Sequence, residues 1–290
     1  MSKTTIKSYN YSLYEFMKAH KKTMSFEHFI GRTRRLEFIR RELEELKFEV
    51  NHVKRFKEKH ITALTRRWQD RNLSIGRIKN LMSDLRFVCN EFGRSDVVKK
   101  NDYYGIGNRS YIPTENKAIF NADFSGIQNR HLKISLELQV AFGLRREECI
   151  KIIPVLADKN DHLWLKGSWT KGKVERCIPI LTQEQRAALD AAIAFCGKKS
   201  LIPENKSYIQ QRSIYNTETR NSGFKNLHGL RHAYAQTRYH ELTGWHAPIA
   251  GGKKRSELNA RERTIDRTAR KIISGELGHS RISVVKIYCG

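Results

Sequence analysis

Between residues 95 and 125 this chain loses its apolar rhythm. The stretch carries Gly105, Gly107, Pro113 and several Asn and Asp residues, with no sustained apolar period. That is the composition of a connector. The pattern before it is helical throughout and the pattern after it is mixed, so the 290 residues are expected to fold as two bodies of modest size. We expect an N-terminal domain over 1–94, a linker over 95–125 and a C-terminal domain over 126–290.

In the first domain, Ser74 can cap a helix in which Ile75, Ile78, Leu81, Met82, Leu85, Val88, Cys89 and Phe92 recur at helical spacing, with Gly93 as the stop. A second helix is expected over 26–48, from Phe26, Phe29, Ile30, Leu36, Ile39, Leu43 and Leu46. A shorter one over about 58–71 holds Ile61, Leu64 and Trp68, and 12–20 supplies a fourth. The second domain begins with a helix over about 129–142, a turn at Gly143 and a short helix from about 145. Residues 162–167 and 174–180 read as two strands around a polar turn, Ser168 to Lys173. Helices follow at 183–196, about 228–242 and about 263–276, with a basic polar insert at 246–262. The fold class expected is mainly α with a small antiparallel β-sheet, that is, α+β.

Charge limits the partners. Lys and Arg number 55 against 30 Asp and Glu, a net +25, which favours a polyanion such as nucleic acid. The excess is not a tail: 22 basic and 11 acidic residues fall within 1–94, leaving a surplus in both halves. No apolar run reaches 18 residues, and the N-terminus lacks the apolar stretch of a secretory signal. Five scattered cysteines without a CxxC pair fit free thiols in a reducing cytoplasm and provide no zinc site.

Several short polar motifs stand out against this background. They are Gly143-Leu144-Arg145 with Glu148, Thr170-Lys171-Gly172, His228-Gly229-Leu230-Arg231-His232, and Leu277-Gly278-His279 followed by Tyr288. Breaking a phosphodiester without a metal requires stabilised nonbridging oxygens, an aligned nucleophile and a protonated leaving oxygen. Guanidinium forks suit phosphate oxygens better than ammonium groups do. Two arginines from distant parts of the chain, Arg145 and Arg231, can converge on one phosphate. Glu148 lies one helical turn from Arg145 and can orient it; a plain surface ion pair is the other reading of that spacing. His228 and Arg231 share one face at the start of a helix, where the N-terminal field favours an anion. His232 is expected to pack behind them. A metal pair of His228 and His232 at i, i+4 lacks an obvious third ligand. Gly278 fits a helix C-cap that projects His279 from a tight turn. The phenol of Tyr288, ordinarily near pKa 10, needs help at neutral pH.

In order and local spacing these motifs resemble the tyrosine recombinase (phage integrase) family. The resemblance covers about 126–290 well and 12–94 loosely. It implies a helical SAM-like core-binding domain followed by a catalytic domain, the two forming a C-shaped clamp on double-stranded DNA. It implies that Arg145, Lys171, His228, Arg231 and His279 are catalytic with Tyr288 as nucleophile, and that Glu148 and His232 support them. Lys171 is favoured over Lys173 and Lys166 by its offset from Arg176-Cys177-Ile178-Pro179, and on a mobile hairpin it can deliver a proton to the leaving 5′ oxygen. The implied reaction passes through a 3′-phosphotyrosyl intermediate and uses neither metal nor ATP nor any other cofactor. Implied partners are a homotetramer on paired sites through a Holliday junction, a monomer or weak oligomer off DNA, and an accessory DNA-bending or directionality factor; the place is a bacterial cytoplasm, at the nucleoid. The span from Arg231 to His279 is about twice the usual one, and its Trp245 to Glu262 segment resembles an insertion in integrases of bacterial mobile elements. The chain stops two residues after Tyr288, where many relatives continue into a docking helix. A catalytically silent DNA-binding protein of the same fold and a type IB topoisomerase-like relaxase are the alternatives.

Overall fold

The computed structural model describes residues 1–290 and divides into two compact units, Met1–Ser110 and Tyr111–Gly290. The first unit holds four helices: α1 (Lys3–Ala19), α2 (Phe26–Glu45), α3 (Glu58–Asp70) and α4 (Ile75–Glu91). Ser2, Ser25 and Ser74 each accept an N–H of the first turn of the helix they precede, which offsets donors that the helix itself cannot pair. The apolar stripes meet in one core that includes Tyr9, Leu13, Leu36, Ile39, Leu43, Ile61, Leu64, Trp68, Leu81 and Leu85. Buried acids tie the helices together where the stripes are interrupted. Asp84 on α4 accepts from Arg32 Nε at 2.9 Å and Arg35 Nε at 2.5 Å on α2, and Glu42 on α2 accepts from Arg67 and Arg71 at 3.0 and 2.7 Å.

The expected linker over 95–125 divides between the two units. Val97, Val98, Tyr104 and Ile106 are buried in the first core, and Phe124 is buried in the second. Apolar residues too sparse to form a period still find a core when single-turn helices at Ser95–Val97 and Asn101–Tyr104 present them. The first helix also begins nine residues before the expected position 12, because Ser2 caps it.

The second unit starts its regular structure with α5 (Arg130–Phe142), α6 (Arg146–Lys151) and α7 (Pro154–Ala157). Strands β1 (His162–Leu165) and β2 (Arg176–Pro179) pair antiparallel, with Trp164 opposite Cys177 and Leu165 opposite Arg176. Then come α8 (Gln183–Cys196), α9 (Tyr208–Asn221), α10 (His228–Thr243), α11 (Ala260–Glu276) and α12 (Lys286–Cys289). Helix α9 is not among the elements expected from spacing, because only Gln211, Tyr215 and Thr219 are buried along it and its apolar stripe is thin. Its start was nonetheless signalled: Ser207 and Gln210 form a capping box. The segment 246–262 is not a featureless polar insert. It contains single-turn helices at Pro248–Ala250 and Arg255–Glu257, buries Ala247 and Leu258, and hands over to α11 at Ala260, three residues earlier than expected. The core is built from α5 and α6 (Leu132, Leu136, Phe142, Cys149), the hairpin (Leu163, Leu165, Ile178) and α8 to α12 (Leu189, Tyr239, Ile273, Leu277, Val285). No helix is long and apolar enough to cross a membrane.

Candidate active site

The turn between α5 and α6 places the first arginine. Gly143 ends α5 at φ +58°, and a Cβ there would stand 2.7 Å from the Tyr234 ring, so both the backbone and the space require glycine. Arg145 then becomes the N-cap residue of α6. Its Nη1 donates to Glu148 Oε1 at 2.8 Å, its Nη2 to the Leu277 carbonyl at 3.1 Å, and its backbone N–H to Glu148 Oε2 at 2.7 Å.

Glu148 is fully buried and serves a second guanidinium. Arg176, at the start of β2, donates Nη1 and Nη2 to its two oxygens at 2.9 and 2.6 Å, and Nε to the Glu276 carbonyl at 2.8 Å. Burial pushes the Glu148 carboxyl up, but the hydrogen bonds and charge of Arg176, then the charges of Arg231 and Arg145, hold it at about 2. It is therefore ionised at neutral pH, and a bare surface ion pair is excluded for Arg145 and Glu148.

Arg231 comes from the first turn of α10 and is fully buried. It donates Nη1 to the Gly143 carbonyl at 2.6 Å, Nη2 to the Leu277 carbonyl, and Nε to Tyr288 Oη at 3.4 Å. Burial first and the Arg145 charge second lower its pKa to about 10, still well above neutrality. The Leu277 carbonyl at the end of α11 thus receives both Arg145 and Arg231, and this shared acceptor holds two like charges side by side.

Tyr288 lies on α12, buried, with Oη 3.2 Å from His279 Nε2 as well as near Arg231 Nε. Three imidazoles surround its ring: His232, His279 and His228 stand at centroid distances of 4.7, 5.6 and 5.9 Å. Burial first, then Arg231 and Arg145, lowers His279 to about 4; burial first, then His228, Lys117 and Arg231, does the same for His232. His228 is drawn down as well, by the protein mass around its ring and then by Arg231 and Arg145, although the residue as a whole stays exposed. The histidines are thus neutral at neutral pH and act as hydrogen-bonding groups.

The enclosure holds three guanidiniums, Arg145, Arg176 and Arg231, against the single ionised carboxylate of Glu148. A guanidinium carries five N–H groups. Arg145 spends two of its own on protein acceptors and stays partly exposed, so it keeps donors that a further anion can reach; Arg231 spends three and is fully buried behind it. Five residues named from the sequence, Arg145, His228, Arg231, His279 and Tyr288, come together, with Glu148 and His232 directly behind them. Lys171 does not join the cluster's hydrogen bonds. It stands exposed between β1 and β2, on a turn with Gly172 at φ +83° and Lys173 at φ +58°. Lys173 and Lys166 are exposed as well. Thr170 closes this loop, its hydroxyl lying 2.7 Å from the Val174 carbonyl and 3.0 Å from that of Gly167.

Sequence reasoning assigned no site role to Arg176, to the Leu277 carbonyl or to Gln236. Arg176 had a signal in Gly278: at φ +63°, a Cβ there would lie 2.8 Å from the Arg176 Cδ. The glycine of Leu277-Gly278-His279 therefore lets the arginine pass as well as turning the chain.

Residues 11–98 match the family described as phage integrase, N-terminal, and residues 107–237 match the integrase family. Among curated proteins no sequence matches the chain. Among solved structures, a lambda integrase dimer bound to a COC′ core site superposes with TM-score 0.61 at 16% identity, covering 96% of this chain and 94% of that one. A lambda integrase tetramer bound to a Holliday junction gives TM-score 0.58 at 14% identity, covering 93% and 77%. The integrase of transposon Tn1549 in complex with circular intermediate DNA gives TM-score 0.55 at 15% identity, covering 100% and 96%. At these identities the likeness is one of fold; the two family matches, which between them span most of the chain, carry the classification. The chain belongs to the tyrosine recombinase (phage integrase) family and is a site-specific DNA recombinase of the tyrosine type.

Proposed function

We propose that this recombinase breaks and rejoins duplex DNA through a covalent link to Tyr288. The supporting observation is that the phenol Oη lies 3.2 Å from a neutral His279 and 3.4 Å from a buried Arg231, inside an enclosure with guanidinium donors to spare. The scissile phosphate is held by Arg145 and Arg231 through its nonbridging oxygens, with His228 as a further donor. Tyr288 Oη attacks phosphorus as its proton passes to His279, and the bond to the 5′ oxygen breaks. Lys171, carried on its exposed loop, protonates that oxygen. The products are a 3′-phosphotyrosyl link and a free 5′-hydroxyl. The 5′-hydroxyl of a partner strand then attacks the link, releases Tyr288 and restores a phosphodiester. One ester is exchanged for another of similar energy, so the cycle needs neither ATP nor metal. Glu148 and His232 keep the arginines and the phenol in place.

Recombination of two sites in this way uses four protomers on paired duplexes, as in the lambda integrase tetramer on a Holliday junction. Basic residues in both units contribute phosphate contacts and a steep dependence of binding on salt. The test is a nicked suicide duplex incubated with wild type and with Tyr288→Phe in EDTA, the products resolved on a denaturing gel. A protein–DNA adduct with wild type alone is the expected result. Tight, salt-sensitive binding to a selected site with no adduct would leave a DNA-binding protein that has lost the chemistry.

A further inference from the structure

The phenol of Tyr288 is only loosely held at its tip. Its bonds to His279 and Arg231, 3.2 and 3.4 Å, lie at the long end of hydrogen bonding. Its position therefore depends on the packing of its buried ring and on its backbone, and α12 is only four residues long, too short to stabilise itself. The Tyr288 carbonyl is taken by a side chain of another helix: Gln236 Nε2, on α10, donates to it at 2.9 Å. The same nitrogen donates to Asn116 Oδ1 at 2.8 Å, and Asn116 Nδ2 donates back to Gln236 Oε1 at 3.1 Å. Gln236 is buried, and this pattern uses both of its N–H groups and its oxygen.

Neither amide can be turned around. A carbonyl, which only accepts, faces Gln236 Nε2; the Ala118 N–H, which only donates, faces Asn116 Oδ1 at 3.0 Å. The segment bearing Asn116 is itself fastened to α10. Ile119 donates its N–H to the Gly229 carbonyl at 3.0 Å, and the Lys117 carbonyl passes 2.5 Å from where a Gly229 Cβ would be. The chain thus runs Asn116, Gln236, Tyr288 carbonyl, from a strap across α10 to the short helix beneath it.

We infer that Gln236 and Asn116 are positioning residues that set the place of the Tyr288 phenol against the phosphate. The inference rests on the reading of Tyr288 as nucleophile. Displacing a reacting atom by about 1 Å costs on the order of 100-fold in rate. Freeing the Tyr288 carbonyl should therefore slow cleavage without weakening DNA binding.

The measurement is single-turnover adduct formation at saturating protein, on a nicked duplex recovered from a random-sequence selection. Gln236→Leu keeps similar bulk without the amide, and its rate constant should fall roughly 10- to 100-fold while DNA affinity stays within about twofold and melting confirms the fold. Asn116→Ala, at an exposed position, should lose several-fold, and it carries the test if Gln236→Leu does not fold. The double variant should be no slower than Gln236→Leu, because the two residues act in series. A duplex with sulfur in place of the bridging 5′ oxygen separates this role from acid catalysis, since a thiolate leaves without a proton. The deficit should persist on that substrate. Folded variants that cleave at the wild-type rate, a deficit removed by the sulfur substrate, or a loss matched by an equal loss of affinity would each overturn the assignment. A wild type that forms no adduct would instead overturn the nucleophile reading, and this proposal with it.

Discussion

Replacing Glu148 by glutamine removes the single carboxylate that the three guanidiniums share, and the structure sets the size of the effect. The carboxyl titrates at about 2 when folded, against an ordinary 4.5. A difference of that size, at 1.36 kcal/mol per pKa unit, corresponds to about 3 kcal/mol of folding stability. That falls in the range expected when one member of a buried ion pair is lost, roughly 3–5 kcal/mol. The sign follows from the folded pKa lying below the unfolded one. The stabilisation is fully present above about pH 4.5 and is lost as pH falls through about 2. Differential scanning calorimetry across pH 2 to 7 resolves this. At pH 7 the transition of the unit spanning Tyr111–Gly290 should fall by roughly 6–12 °C in Glu148→Gln, taking about 2–4 °C per kcal/mol for a unit of this size. The partners of Glu148, Arg145 and Arg176, both belong to the Tyr111–Gly290 unit, so the loss should appear in that unit's transition. The wild-type unit should lose its advantage over the variant on acidification through this window. A variant that melts with wild type at pH 7, or that keeps the wild-type slope between pH 4.5 and 2, would refute the assignment of Glu148 as the ionised centre of the cluster.

Two further outcomes follow from the same geometry. Gly143→Ala places a Cβ 2.7 Å from the Tyr234 ring at φ +58°, and should lower stability by roughly 2–4 kcal/mol in denaturant melts through left-handed strain and overpacking; it should also slow adduct formation, because the same turn places Arg145. His232 is buried and drawn down to about 4, so the unfolded chain takes up a proton first as pH falls below about 6.5. Its stabilisation is full above that pH and declines toward pH 4, so His232→Phe should flatten the melting profile between these values; an unchanged profile would mean the imidazole is not held neutral.

Most of the elements and the order of the polar motifs are legible from short-range spacing. Helical spacing from Ile75 to Phe92, the serine caps, the strands flanking Ser168 to Lys173 and the glycines at 143 and 278 are local signals, because period, capping and positive φ are properties of neighbouring residues. The arginine, histidine and tyrosine motifs were legible for the same reason: each is a short spacing. What those residues touch is set by packing between distant segments. Nothing local says that Arg176 closes on Glu148, that the Leu277 carbonyl receives Arg145 and Arg231 together, or that Gln236 reaches the Tyr288 backbone. Nor could local pattern place residues 95–110 on one core and Phe124 on the other, or find α9, whose few buried side chains make a weak period. These contacts join residues tens to more than a hundred positions apart. They form because burying the apolar stripes brings the loops together, and polar groups enclosed there must find partners at whatever distance in sequence the packing supplies them.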